Sequence, residues 1–101
     1  MKVELEYYIQ EQQGLVDVAV LGDKGECLIG IEIALSNKYE HETDNIEKCQ
    51  KAGFQKVIST APSEFILKGI KKEALNRGIN LDNVEFKLLK DYYNELHKRK
   101  S

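Results

Sequence analysis

Val3, Leu5, Tyr7 and Ile9 alternate with Lys2, Glu4, Glu6 and Tyr8, the period of two expected of a strand with one buried face. A polar turn is predicted over residues 10–14. Two apolar runs follow, 15–21 and 28–35, joined by the turn-prone Gly22-Asp23-Lys24-Gly25. Their nearly unbroken hydrophobicity predicts strands covered on both faces. From 37 to 52 the spacing predicts mostly helix, with Ser36 or Asn37 as N-cap, an apolar stripe of Tyr39, Ile46 and Cys49, and Gly53 as its stop. Residues 54–60 read as a fourth strand. Pro62, the sole proline, is expected to open a second helix over 63–77. Phe65, Ile66, Ile70 and Ala74 share one face of that helix, Lys68, Lys71 and Lys72 lie off it, and Gly78 caps it. Residues 84–89 complete the strands, and 91–100 form a short basic helix. The expected fold class is therefore α/β with a mixed sheet, in the order β-β-β-α-β-α-β-α: an antiparallel meander, then helical crossovers that add parallel strands.

Two residues break the pattern. Asp17 interrupts Leu15-Val16-Asp17-Val18-Ala19-Val20-Leu21, and Glu32 interrupts Leu28-Ile29-Gly30-Ile31-Glu32-Ile33-Ala34-Leu35. A carboxylate inside a buried strand costs several kcal/mol unless it is paired, hydrogen-bonded or bound to a metal. Two of them on neighbouring strands offer an oxygen-rich site for a divalent cation. The competing reading is that both point to solvent from one-sided strands. Ala19, Gly30 and Ala34 lie on the carboxylate faces, and their small size is expected to leave room for a ligand.

Composition narrows the classes. The chain has 101 residues, 42% apolar and 32% charged, with a net charge of −2, so a single domain with one core is expected and no overall charge marks a nucleic-acid binder. Any such role must rest on a local patch. No apolar run approaches the ~20 residues that span a bilayer, and the start lacks the apolar core of a signal peptide. Cytoplasmic placement without a membrane is expected. The two cysteines, Cys27 and Cys49, fit reduced thiols, although a single disulfide stays open. With His41 and His97 they make no zinc spacing, and a Cys49 on an apolar stripe should be inert. The glycines at 22 and 25 lack the helix that a phosphate-binding loop requires.

The acidic residue in the first run (Val16-Asp17), the glycine-bearing turn and Glu32-Ile33-Ala34 in the second run resemble the core of the PD-(D/E)XK nuclease-like superfamily. So do Asn45-Ile46-Glu47-Lys48-Cys49 and Ala52-Gly53-Phe54-Gln55-Lys56-Val57-Ile58, in the manner of divergent members attached to DNA-processing proteins of mobile elements. The resemblance covers residues 2–75. It implies a restriction-endonuclease-like core in which Asp17 and Glu32 bind Mg²⁺ or Mn²⁺. It also implies departures. The superfamily's lysine, two residues after the glutamate, is Ala34 here. Some members recruit a lysine from the following helix, which makes Lys38 and Lys48 the candidates, with Asn45 as a further polar contact. Lys38 has the shorter reach from the Glu32 strand. Lys48 shares a helix face with His41 and Asn45, away from the Tyr39/Ile46/Cys49 stripe, and is expected to be a solvated charge. The family's N-terminal helix is missing, so residues 1–101 are expected to be a single nuclease-like domain cut from a longer protein, with upstream domains as partners.

Lys68, Lys71 and Lys72, with Arg77 nearby, form a basic cluster, as do Lys98, Arg99 and Lys100 beside Tyr92 and Tyr93. Solvated faces explain them; contact with a nucleic-acid backbone is the functional alternative. The resemblance leaves two versions open: a Mg²⁺-dependent phosphodiesterase, a hydrolase, or a degenerate domain that binds DNA without cutting. An alternative from another class is a non-catalytic protein-interaction or oligomerisation module, a homo-oligomer included, of a larger mobile-element protein.

Overall fold

A computed structural model describes residues 1–9 and 14–91. Most of the predicted turn at 10–14 and residues 92–100 of the predicted terminal helix, with Tyr92, Tyr93, His97, Lys98, Arg99 and Lys100, lie outside the described residues. The strands are β1 (Lys2–Ile9), β2 (Gly14–Leu21), β3 (Cys27–Ile33), β4 (Lys56–Ala61) and β5 (Val84–Leu88). Between them run α1 (Tyr39–Lys51) and α2 (Glu64–Asn76), and residues 89–91 turn helical again. The sheet order is β1-β2-β3-β4-β5; the first two pairings are antiparallel and the last two parallel. The protein is thus α/β with a mixed five-stranded sheet. Two successive parallel crossovers of one hand place α1 and α2 side by side against the sheet, in contact with each other. No helix among the described residues is long and apolar enough to cross a membrane.

The core lies between that sheet and the two helices. Val16, Ala19, Ile46, Cys49, Val57, Ala61, Ile70 and Ala74 are buried in it. Gly30 is small because α1 lies on it: a Cβ there would sit 3.1 Å from Cys49 Sγ and 3.2 Å from the Phe54 ring. The room expected at Gly30 is therefore filled by Cys49 and Phe54.

Three local expectations are corrected. Position 38, not Ser36 or Asn37, is the N-cap of α1, and Lys38 offers no side-chain cap. In α2 the cap is Ser63, whose Oγ accepts from the Ile66 N–H at 3.3 Å, so Pro62 precedes the cap instead of opening the helix. Phe65 is exposed and Leu67 buried, because contact with both the sheet and α1 turns the helix onto the Leu67/Ile70/Ala74 face.

Strand β1 carries the most telling departure. Val3 and Leu5 are exposed while Tyr7 and Ile9 turn to the core, so the inward phase changes within the strand. Glu6 causes this with a left-handed backbone, φ 50°. In β2 the buried positions likewise step from Val16 to Ala19, three apart instead of two. Glu4 pairs with Ala19 and Tyr7 with Val16, so both strands change phase at the same level. Asp17 sits at that level.

Candidate functional site

Asp17 and Glu32 come together where β2 and β3 part. The ladder between these strands ends at Val18 and Ile31. Beyond it the two carboxylates replace the missing carbonyls. Asp17 Oδ2 accepts from the Ile33 N–H at 2.7 Å, and Glu32 Oε1 accepts from the Asp17 N–H at 3.2 Å. Each acid thus holds the other's strand, satisfying backbone donors that would otherwise be orphaned. Glu32 is almost fully buried, at 3% exposure, and its Oε2 accepts no hydrogen bond.

Lys48 supplies the nearest positive charge. Its Nζ lies 3.4 Å from Glu32 Oε2 and donates to Asn45 Oδ1 at 3.1 Å and to the Leu15 carbonyl. The side chain is mostly buried, so the expectation of a solvated charge is overturned. The helical wheel placed Lys48 off the apolar stripe of α1 correctly. It did not show that the start of β2, at Gly14 and Leu15, lies against that flank. Gly14 makes the passage possible: a Cβ there would meet Lys48 Cδ at 2.8 Å. Lys38 is exposed at the head of α1, and none of the contacts described here joins it to Glu32.

Burial pushes the Glu32 carboxyl up to about 7, against the lowering effects of Lys48 and of the Asp17 N–H. Glu42, also buried, is raised for the same reason and shares the field of Asp17 and Lys48. Sequence reasoning passed over Glu42. Its spacing of four and seven residues to Ile46 and Cys49 was the signal that it faces the core. Among the described residues no three His, Cys, Asp or Glu side chains are grouped to hold a metal by themselves. The donors nevertheless suit a hard cation that keeps waters and takes only one or two carboxylates: Glu32 Oε2 accepts no hydrogen bond, and the remaining Asp17 oxygen is held by none of the bonds described here.

Cys49 is buried against this site, and its thiol is pushed up to about 12, by burial first and then by Glu32. Both cysteines are free. In native protein at pH 8, Ellman's reagent is expected to titrate one thiol slowly, the partly buried Cys27, whose pKa burial also raises, and the second only on addition of denaturant. Fast reaction of both would contradict the burial.

The basic cluster divides. Lys68, Lys71 and Lys72 are exposed along the outer face of α2. Arg77, at the end of α2, is instead bound to Asp44, Glu47, Glu73 and the Glu40 carbonyl, at 2.6, 2.8, 3.0 and 2.9 Å. It fastens α2 to α1, with four of its five N–H donors taken up within the protein. Compared with known proteins, the chain matches no family model, no curated protein and no solved structure.

Proposed function

We propose that this chain is a PD-(D/E)XK nuclease-like domain that acts on a phosphodiester of nucleic acid, with Lys48 in place of the lysine absent at position 34. One observation supports it above the rest: Asp17, Glu32 and the Lys48 ammonium, from β2, β3 and α1, meet at one partly solvated point. Asp17 and Glu32 would hold Mg²⁺ or Mn²⁺ through Glu32 Oε2 and the second Asp17 oxygen. The cation, when bound, supplies polarisation of the phosphoryl oxygen and a more acidic water. Lys48 places a positive charge where negative charge grows as water oxygen bonds to phosphorus and the ester oxygen leaves with a proton. The hydrogen-bonded backbone of β2 and β3 fixes the two acids in advance of substrate. An open groove beside Lys48, lined by Tyr8, Leu15, His41 and Asn45, gives a chain access. Lys68, Lys71 and Lys72 extend phosphate contact along α2 in this reading.

Cleavage of single- and double-stranded DNA in millimolar Mn²⁺ is the test. Asp17→Asn and Glu32→Gln are expected to abolish it, and Lys48→Ala to lower it by about 10²-fold or more. A larger loss in Lys38→Ala than in Lys48→Ala would return the role to Lys38. A second reading has its own observation. Both acids already serve as backbone acceptors and every N–H of the Lys48 ammonium faces an oxygen, as in a purely structural latch within a binding or oligomerisation module. Absence of cleavage, with no Mn²⁺-dependent rise in Tm that Glu32→Gln removes, would favour that reading.

A further inference from the structure

The Lys48 ammonium is surrounded by oxygen: the Leu15 carbonyl, Asn45 Oδ1 at 3.1 Å and Glu32 Oε2 at 3.4 Å. An ammonium has three N–H donors; two are hydrogen-bonded to Leu15 and Asn45, and the third is left to the ion pair with Glu32 Oε2. The seat is built for this side chain, since Gly14 leaves the space through which its stem runs; a Cβ would come within 2.8 Å of Cδ. Of the three oxygens, Glu32 Oε2 is the most distant. It is also the buried oxygen that accepts no hydrogen bond and that a hard cation would want.

We propose that Lys48 is the site's own place-holding cation: in the resting protein its ammonium occupies the oxygen seat at Glu32, and it must leave Glu32 for a divalent ion to bind there. This rests on the reading of Asp17 and Glu32 as cation ligands, and it adds regulation of that site. Two positive charges cannot share one buried carboxylate oxygen without strong repulsion, so ion and ammonium compete. Release of Glu32 by Lys48 also frees the N–H that a phosphate would take. Metal entry and the readiness of Lys48 for substrate are then one event, a coupling between two ligands of one two-state side chain. The ion arriving with a phosphodiester shifts the equilibrium further than the ion alone, because the phosphate rewards the displaced ammonium.

Mn²⁺ binding to the full chain, followed by the electron-spin signal of free Mn²⁺, separates the possibilities. Lys48→Met is expected to bind Mn²⁺ about tenfold more tightly than the unaltered protein, while Lys51→Met, one turn along α1, changes affinity less than about twofold. Gly14→Ala removes no charge but crowds the Lys48 stem out of its seat, and it is expected to tighten Mn²⁺ several-fold as well. Addition of Glu32→Gln to either variant should cancel the gain. Equal affinity in Lys48→Met, Gly14→Ala and the unaltered protein overturns the proposal. A gain in Lys48→Met alone overturns it too, since loss of charge without loss of the seat would then suffice. DNA cleavage is read in parallel. Cleavage by the unaltered protein with no gain in the variants sinks the place-holder and leaves the nuclease reading standing. Tighter Mn²⁺ in both variants without any cleavage does the reverse.

Discussion

Between about pH 4.5 and about pH 7, in metal-free buffer, the protein is expected to lose stability as the pH rises, by up to about 3 kcal/mol from Glu32 alone. Burial lifts this carboxyl from 4.5 to about 7 in the folded chain. In that window the folded state holds a proton that the unfolded state has released, and a rise in pH therefore favours unfolding. The contribution is fully present below the unfolded value and gone above the folded one. This is the reverse of the usual surface carboxylate, whose partners favour ionisation. The cause is that one ammonium at 3.4 Å and one backbone N–H do not repay the desolvation of a group at 3% exposure. Urea unfolding from pH 4 to pH 9 measures the slope. Glu32→Gln, which cannot ionise, should flatten most of it. In Lys48→Met the loss should deepen and extend to higher pH, because the charged form then has no cation beside it. An unchanged slope in Glu32→Gln would show that other groups govern the pH dependence.

Gly69→Ala should destabilise the protein by about 1–3 kcal/mol, although alanine is the better helix former by about 1 kcal/mol. Gly69 lies in α2 under the ring of Tyr39, the first residue of α1. A Cβ there would fall 2.2 Å from Tyr39 Cζ, a distance that no packing tolerates. The ring must move, and the two helices lose this contact. Since α1 carries Lys48 and Asn45, the site would loosen with it. Replacing Tyr39 by serine removes the obstacle. In that background Gly69→Ala is expected to change sign and stabilise by about 1 kcal/mol, its helix propensity alone. Thermal or urea unfolding of the four proteins gives the cycle, and the same sign in both backgrounds would refute the contact.

Much of the framework was legible. Alternation and apolar runs placed all five strands and both helices within a few residues, and two β-α crossovers implied the mixed sheet. The phase change in β1 was not legible. Val3, Leu5, Tyr7 and Ile9 alternate without a break in sequence, but Glu6 adopts a left-handed backbone that no local signal favours. The Phe65 error has a similar origin: periodicity admits several faces of α2, and contact with Tyr39 and β4 chose between them. Asp17 and Glu32 stood out because a charge in an apolar run is rare. Lys48 did not, because a lysine on a polar helix flank resembles every solvated lysine.

What the sequence determined by itself was the order of elements and the anomaly of two acids in adjacent strands, since hydrophobic period and the cost of burying charge are local facts. The tertiary structure alone decided that β2 and β3 part at Asp17, that Glu32 is buried more deeply than its partners compensate, and that Lys48 passes over Gly14 to reach it. Those are matters of distance between residues 15 to 34 positions apart in the chain, set by how α1 packs on the sheet and against the start of β2.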